Sequence, residues 1–155
     1  MRKTKLVKSK LTNNPVDHPS HYTTHPSGIE AIEVCGRMGF CTGNAFKYVF
    51  RFKNKWSPLE DLKKAIWYID REAFQRGVST KDKPTVSSRV LAAHWRVERV
   101  KTGELIDRIV GSRPGNAEKA LFYIWLADNN SENGTFLLLA RAHINKKILE
   151  LKKVK

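Results

Sequence analysis

The stretch C-T-G-N-A-F-K-Y-V-F-R-F-K-N-K-W-S-P-L-E-D-L-K-K-A-I-W-Y, from Cys41 to Tyr68, places two helical patterns on either side of one clear break. Thr42 and Gly43 can open the first helix, after which Asn44, Lys47, Arg51 and Lys55 recur at spacings of three, four and four. Those spacings put the four on one face. Ala45, Phe46, Val49, Phe50 and Phe52 fill the other sides. The expectation is an apolar rod carrying an unneutralised cationic stripe, which suits phosphate. Ser57, Pro58 and Glu60 then supply an N-cap, a proline at the first helical position and a capping box. The second helix is expected to bury Leu59, Leu62, Ile66, Ile69 and Ala73 and to display Asp61, Lys64, Tyr68 and Arg71. The two polar stripes are expected to face one cleft.

Upstream, residues 1–16 form a basic leader without periodicity, closed by Pro15. Asp17-His18-Pro19-Ser20-His21-Tyr22 follows as a loop broken by prolines 19 and 26. His18, His21 and His25 invite a zinc reading, but the spacing is not that of a finger and neither cysteine completes it. The expectation is no metal, with the histidines bonding locally or stacking on a ligand. Ile29 to Cys35 reads as a short amphipathic helix with Ile29, Ile32 and Cys35 or Gly36 inward, and Glu30, Glu33 and Arg37 on another side. Two glutamates three apart can share a metal or position cations; the plainer alternative is a solvated face.

Downstream, the polar run Gly77 to Pro84 is the best internal boundary. It divides residues 17–76 from a second helical half, 85–155, that ends in a lysine-rich tail. That half offers a helix capped by Ser87 or Ser88 and running to about Arg99, then Gly103 to Val110, then Pro114 to about Asp128, and a last helix capped by Thr135. No segment alternates as a strand does. Gly43-Asn44-Ala45-Phe46-Lys47 is echoed by Gly115-Asn116-Ala117-Glu118-Lys119, and Leu62, Ala65 and Ile69 by Leu137, Ala140 and Ile144. The position of Arg51 is then Tyr123. This reads as a degenerate duplication of a helical hairpin whose second copy serves packing, with chance similarity as the alternative. The fold class is all-α, a compact bundle of six or seven helices.

At 155 residues, with 41 % hydrophobic content, the chain can bury a core. Of the net charge of +14, residues 1–10 hold five basic groups and no acid, and residues 146–155 hold five with one acid, so the ends carry nine. The body is only mildly basic. Such tails read as solvated ends, with non-specific nucleic-acid contact as the second reading. Two cysteines, no apolar signal segment and no apolar run of membrane length lead us to expect a reducing cytoplasm and no membrane partner. Four tryptophans, Trp56, Trp67, Trp95 and Trp125, suggest surplus apolar surface and hence a homo-oligomer.

Four blocks in order, His18-Pro19-Ser20-His21-Tyr22, Ile29-Glu30-Ala31-Ile32-Glu33, Gly43-Asn44 with Lys47-Tyr48 and Arg51, and Glu60-Asp61-Leu62 with Lys64-Ala65 and Tyr68, resemble a small domain family widespread in tailed bacteriophages. One branch of that family is the nucleotide kinase of short-tailed coliphages, which phosphorylates deoxynucleoside monophosphates without a Walker A loop. The resemblance covers residues 15 to about 72 and implies a protein of deoxynucleotide supply in the cytoplasm of an infected bacterium, with ATP as donor. It singles out His21, Tyr22, Glu30, Glu33, Asn44, Lys47, Arg51, Asp61, Lys64 and Tyr68. Where relatives commonly read Arg-x-Gly-Lys-Lys, this chain has Arg51-Phe52-Lys53-Asn54-Lys55.

Phosphoryl transfer asks mainly for positioned phosphates and neutralised charge. On that footing Lys47 and Arg51 are expected to grip donor and acceptor phosphates, with Lys55 and Lys64 at the rim. Glu30 and Glu33 are expected to orient the cations or hold magnesium. Tyr22, Tyr48 or Tyr68 would stack on the base, and His21 would touch phosphate or sugar. Three rivals stand beside this. One is an interhelical ion network of Glu30 and Glu33 with Lys47 and Arg51 that only docks helices. Another is a non-enzymatic module for nucleotide, nucleic acid or a host protein. The last is an all-helical pyrophosphatase, which ranks lowest because Lys63 and Ala73 stand where its second acidic pair should be.

Overall fold

A computed structural model describes residues 16–84, 102–131 and 134–154. Among these residues there are seven α-helices, one 3-10 turn and no strand: α1 (Ser20–Thr23), α2 (Ala31–Cys35), α3 (Phe40–Arg51), the 3-10 turn Phe52–Asn54, α4 (Pro58–Gln75), α5 (Gly103–Val110), α6 (Asn116–Asn129) and α7 (Thr135–Lys153). The all-α expectation holds. The expected helix to Arg99 and the leader up to Pro15 lie outside the described residues. No described helix is long and apolar enough to cross a membrane.

Two antiparallel hairpins, α3 with α4 and α6 with α7, pack face to face, so that α3 lies on α6 and α4 on α7. One core runs through both, from Phe46, Val49, Leu62 and Ile69 to Ile124, Phe136, Leu137 and Ile144. Helix α6 is buried along nearly its whole girth, at Ala117, Ala120, Leu121, Phe122, Ile124, Trp125, Leu126 and Ala127. A helix apolar all round belongs in the middle. It touches α3, α5 and α7. Trp125 therefore is core, its indole N–H donating to Thr102 Oγ1 at 2.8 Å, while Trp56 and Trp67 are exposed; Trp95 lies outside the described residues.

Several boundaries differ from the sequence reading, each for a local reason. Helix α3 begins at Phe40, because the Asp128 carboxylate of α6 accepts hydrogen bonds from the Gly39 N–H at 2.9 Å and the Thr42 hydroxyl at 2.5 Å. A cap supplied from the other hairpin leaves no local sequence signal. Helix α3 also ends at Arg51, so Lys55 stands in extended backbone rather than on its face. Ser57 and Pro58 do open α4, but without a side-chain cap, and Glu60 turns to Lys64 instead. The capping box lies on α2, where Glu33 Oε1 accepts the Glu30 N–H at 2.8 Å. With Glu30 outside the helix, the buried face becomes Ala31 and Val34, and Ile32 points out. On α4 the core takes Ala65 in place of Ile66 and also Asp61, which was expected on the open face. Helix α4 closes at Gly77, whose φ of 68° is open to glycine without strain. Helix α6 starts at Asn116 and α7 at Thr135, the latter with Gly134 rather than Thr135 at the N-cap.

The echoed glycines do different jobs. A Cβ on Gly43 would stand 2.9 Å from the Cys35 backbone oxygen, whereas one on Gly115 would meet only the movable end of Glu118. Gly43 is what lets α2 lie against α3. Gly43→Ala is expected to cost about 1–3 kcal/mol through forced overpacking. Gly115→Ala is expected to stay within about 0.5 kcal/mol, as surface changes do. Urea midpoints of the two variants check this.

His143 stacks on Tyr123 at 5.5 Å between centroids and pairs its Nδ1 with Asn116 Oδ1 at 2.8 Å. Burial, then Lys146 and Lys119, push its pKa below the usual imidazole value. His25, stacked on Phe50, is lowered by burial as well. The unfolded chain therefore takes up these protons first. The stability they contribute is complete above a pH of about 6.5 and is lost as pH falls through the lowered folded values. Urea melts at descending pH should show the loss, and His143→Phe should flatten it.

Candidate functional site

Arg51 closes α3 and Asp61 sits in the first turn of α4, so the short link between them brings the two side chains face to face. Arg51 Nε donates to Asp61 Oδ2 at 3.0 Å and Nη2 to Oδ1 at 3.1 Å, a bidentate pair, while Nη1 donates to the Tyr22 hydroxyl at 2.5 Å. Arg51 is only 8 % exposed and Asp61 3 %. Burial works against charge on Arg51, but the Asp61 bonds outweigh it and hold its pKa above the ordinary value. The unneutralised stripe is thereby corrected. Arg51 is a neutralised anchor that ties α1, α3 and α4 together, and its partner is Asp61 rather than Glu30 or Glu33.

Three cations gather around Tyr48, of which only Lys47 has no carboxylate bridged to it among the described residues. The Tyr48 ring lies 4.7 Å from the Arg51 guanidinium, 4.8 Å from Lys47 Nζ and 5.9 Å from Lys64 Nζ, and it stacks on Tyr68 at 5.8 Å and 20°. Lys47 Nζ donates to Asn44 Oδ1 at 2.7 Å, a neutral partner. Among the described residues no carboxylate is bridged to Lys47. Burial and then the neighbouring Arg51 charge lower its pKa. Lys64 is bridged to Glu60 at 2.5 Å, which raises its pKa.

Lys47 stands between two hollows. One, of about 270 Å³, is lined by Tyr22, Glu30 and Cys35 with Lys47; the other, of about 250 Å³, by Asn44, Gly43 and Phe40 with Lys47. A further cleft of about 490 Å³ lies away from this cluster, between His25, Phe50 and Lys53 on one side and Arg108 and Arg113 on the other. It is roomier, but Lys47 does not line it; Tyr22 lines the first Lys47 hollow, and Tyr48 and Tyr68 line none of the three.

Of the residues singled out in the sequence, the structure gathers Tyr22, Asn44, Lys47, Tyr48, Arg51, Asp61, Lys64 and Tyr68. His21 lies beside them, tilted on Tyr22 at 4.2 Å, its pKa lowered by burial and by Lys55 and Arg51. Glu30 and Glu33 are drawn off. The Glu30 carboxylate reaches His18 Nδ1 at 2.9 Å, and Glu33 closes the capping box. The rival docking network of these two with Lys47 and Arg51 is absent from the ion pairs of the described residues. No group of three or more histidine, cysteine or carboxylate side chains among the described residues is placed to hold a metal ion. The sequence reading missed the Arg51–Asp61 pairing, although a cation ending one helix and an acid opening its hairpin partner were signal enough.

Residues 16–70 match a family model described as a protein of unknown function, DUF3310. No curated protein and no solved structure matches the chain. The matched segment runs from α1 through most of α4 and contains every residue of the Tyr48 cluster.

Proposed function

We propose that the chain binds nucleoside phosphates at the Tyr48 cluster and acts as a phage nucleotide kinase-like protein, passing a phosphoryl group from ATP to deoxynucleoside monophosphates. The observation that carries this reading is Lys47, a cation with a neutral partner, set between two hollows and beside the Tyr48–Tyr68 stack. An aromatic stack offers a place for a base, and an ammonium whose hydrogen-bond partner is neutral a place for phosphate. The phage resemblance supplies the reaction class.

In that reaction an oxygen of the acceptor monophosphate forms a bond to the γ-phosphorus of ATP as the bond to the ADP oxygen breaks, and ADP leaves. Lys47 neutralises the transferring group, with Lys64 and Lys55 at the rim. Arg51 does not touch phosphate here; it is a positioning residue that fixes the rings of Tyr22 and Tyr48. The Glu30 carboxylate is engaged by His18 and that of Glu33 by the Glu30 N–H, so the transfer is not routed through them.

Titration calorimetry of the full chain with each deoxynucleoside monophosphate and with ATP tests the binding half. Saturable heat for at least one monophosphate and for ATP is expected; none for any nucleotide ends the reading. The engagement of Glu30 and Glu33 in local bonds favours one second reading, a module that binds nucleotide without turning it over. Binding without product formation would select it.

A further inference from the structure

We infer that the solvent face of α4 is a platform for single-stranded nucleic acid. Lys63, Trp67, Arg71 and Phe74 recur at spacings of four, four and three and share one exposed helical face. Trp67 is 61 % exposed and Phe74 75 %, costly positions for large apolar rings unless something covers them. The Arg71 guanidinium lies 5.8 Å from the Phe74 ring centroid. At the start of the helix Trp56, 93 % exposed, has Lys55 Nζ 5.9 Å from its ring and flanks a hollow of about 520 Å³ bounded by Lys63. From Pro58 to Phe74 the face is about 24 Å long, room for several nucleotides.

Charge decides what covers it. Each carboxylate of α4 is bridged to a cation of this chain, Asp61 to buried Arg51, Glu72 to Arg76, Asp70 to Arg141 and, on the surface, Glu60 to Lys64. Lys63 and Arg71 are bridged to no carboxylate among the described residues. A second copy docked by two-fold symmetry would set these cations against their own kind. A polyanion with stackable bases meets both demands, since alternating rings and cations are how single strands are held without sequence preference. Trp67 also meets Tyr68 edge-on at 5.0 Å, so the face continues into the Tyr48 cluster.

The test is fluorescence anisotropy of a labelled oligo-dT with the full chain at several salt concentrations. The basic ends hold no aromatic residue, so rings and tails separate cleanly. Trp67→Ala with Phe74→Ala keeps every charge and is expected to weaken binding at least about tenfold. Arg71→Ala is expected to reduce the slope of log affinity against log salt by about 0.7. Trp67→Leu alone, which keeps the bulk but not the ring, should weaken binding in the same direction and serves if the double variant does not fold. Unchanged affinity in the folded ring variants would assign binding to the tails and overturn the proposal. So would no binding at all, or a dimer in sedimentation that the ring variants split.

Discussion

Asp61→Ala is expected to destabilise the fold by about 3–5 kcal/mol, the cost of leaving a buried charge without its partner. Arg51 has few alternatives. It is held under the Tyr22 and Tyr48 rings, and the carboxylate it loses carried two of its hydrogen bonds. The second hairpin shows what the fold does without such a pair. In the register of the internal echo, Arg51 corresponds to Tyr123 and Asp61 to Phe136, and these two rings stack at 6.4 Å and 18°. Replacing both members of the pair, as Arg51→Met with Asp61→Leu, is therefore expected to recover most of the loss, since apolar substitutes for buried ion pairs are often neutral or better. Urea denaturation of the three proteins decides it. An Asp61→Ala variant within about 1 kcal/mol of wild type would mean that the pair is solvated, as surface bridges are.

Lys47→Ala is expected to behave in the opposite way, changing stability little and lowering nucleotide affinity about 10- to 100-fold, the scale of one hydrogen bond between charged groups. The side chain lies along the surface of α3, gives one hydrogen bond to Asn44 three residues earlier, and borders both hollows. Little of the core rests on it. Lys47→Arg keeps the charge but replaces a compact ammonium with a planar fork, and is expected to restore affinity only in part. Calorimetry of the two variants, with urea midpoints beside it, separates loss of ligand from loss of fold.

The helices were legible because their signals are local. Ser57-Pro58 marks the start of α4, Gly77 its end, and Gly103 to Val110 reads as one short amphipathic helix that the structure reproduces. The echo foresaw two hairpins, and its paired positions Ala45 and Ala117, Leu62 and Leu137, Ala65 and Ala140, and Ile69 and Ile144 are all buried. What depended on distant partners was not legible. Asp128 caps α3 across 86 residues, and Arg76 Nη1 donates to the Ala127 carbonyl at the end of α6. The candidate site divides along the same line. The cationic spacing on α3 was visible, but which cation is neutralised depends on where Asp61 lands after the chain turns, and Glu30 and Glu33 were diverted by a capping box that competes for the same carboxylates.

A chromatographic turnover assay of the purified chain with each deoxynucleoside monophosphate and ATP, run beside folded Lys47→Ala, asks whether the chain transfers phosphate at Lys47. Deoxynucleoside diphosphate and ADP are expected from the wild type, with a loss of both in the variant. Product formed equally by the two proteins would contradict that expectation, because the phosphate site would then lie away from Lys47.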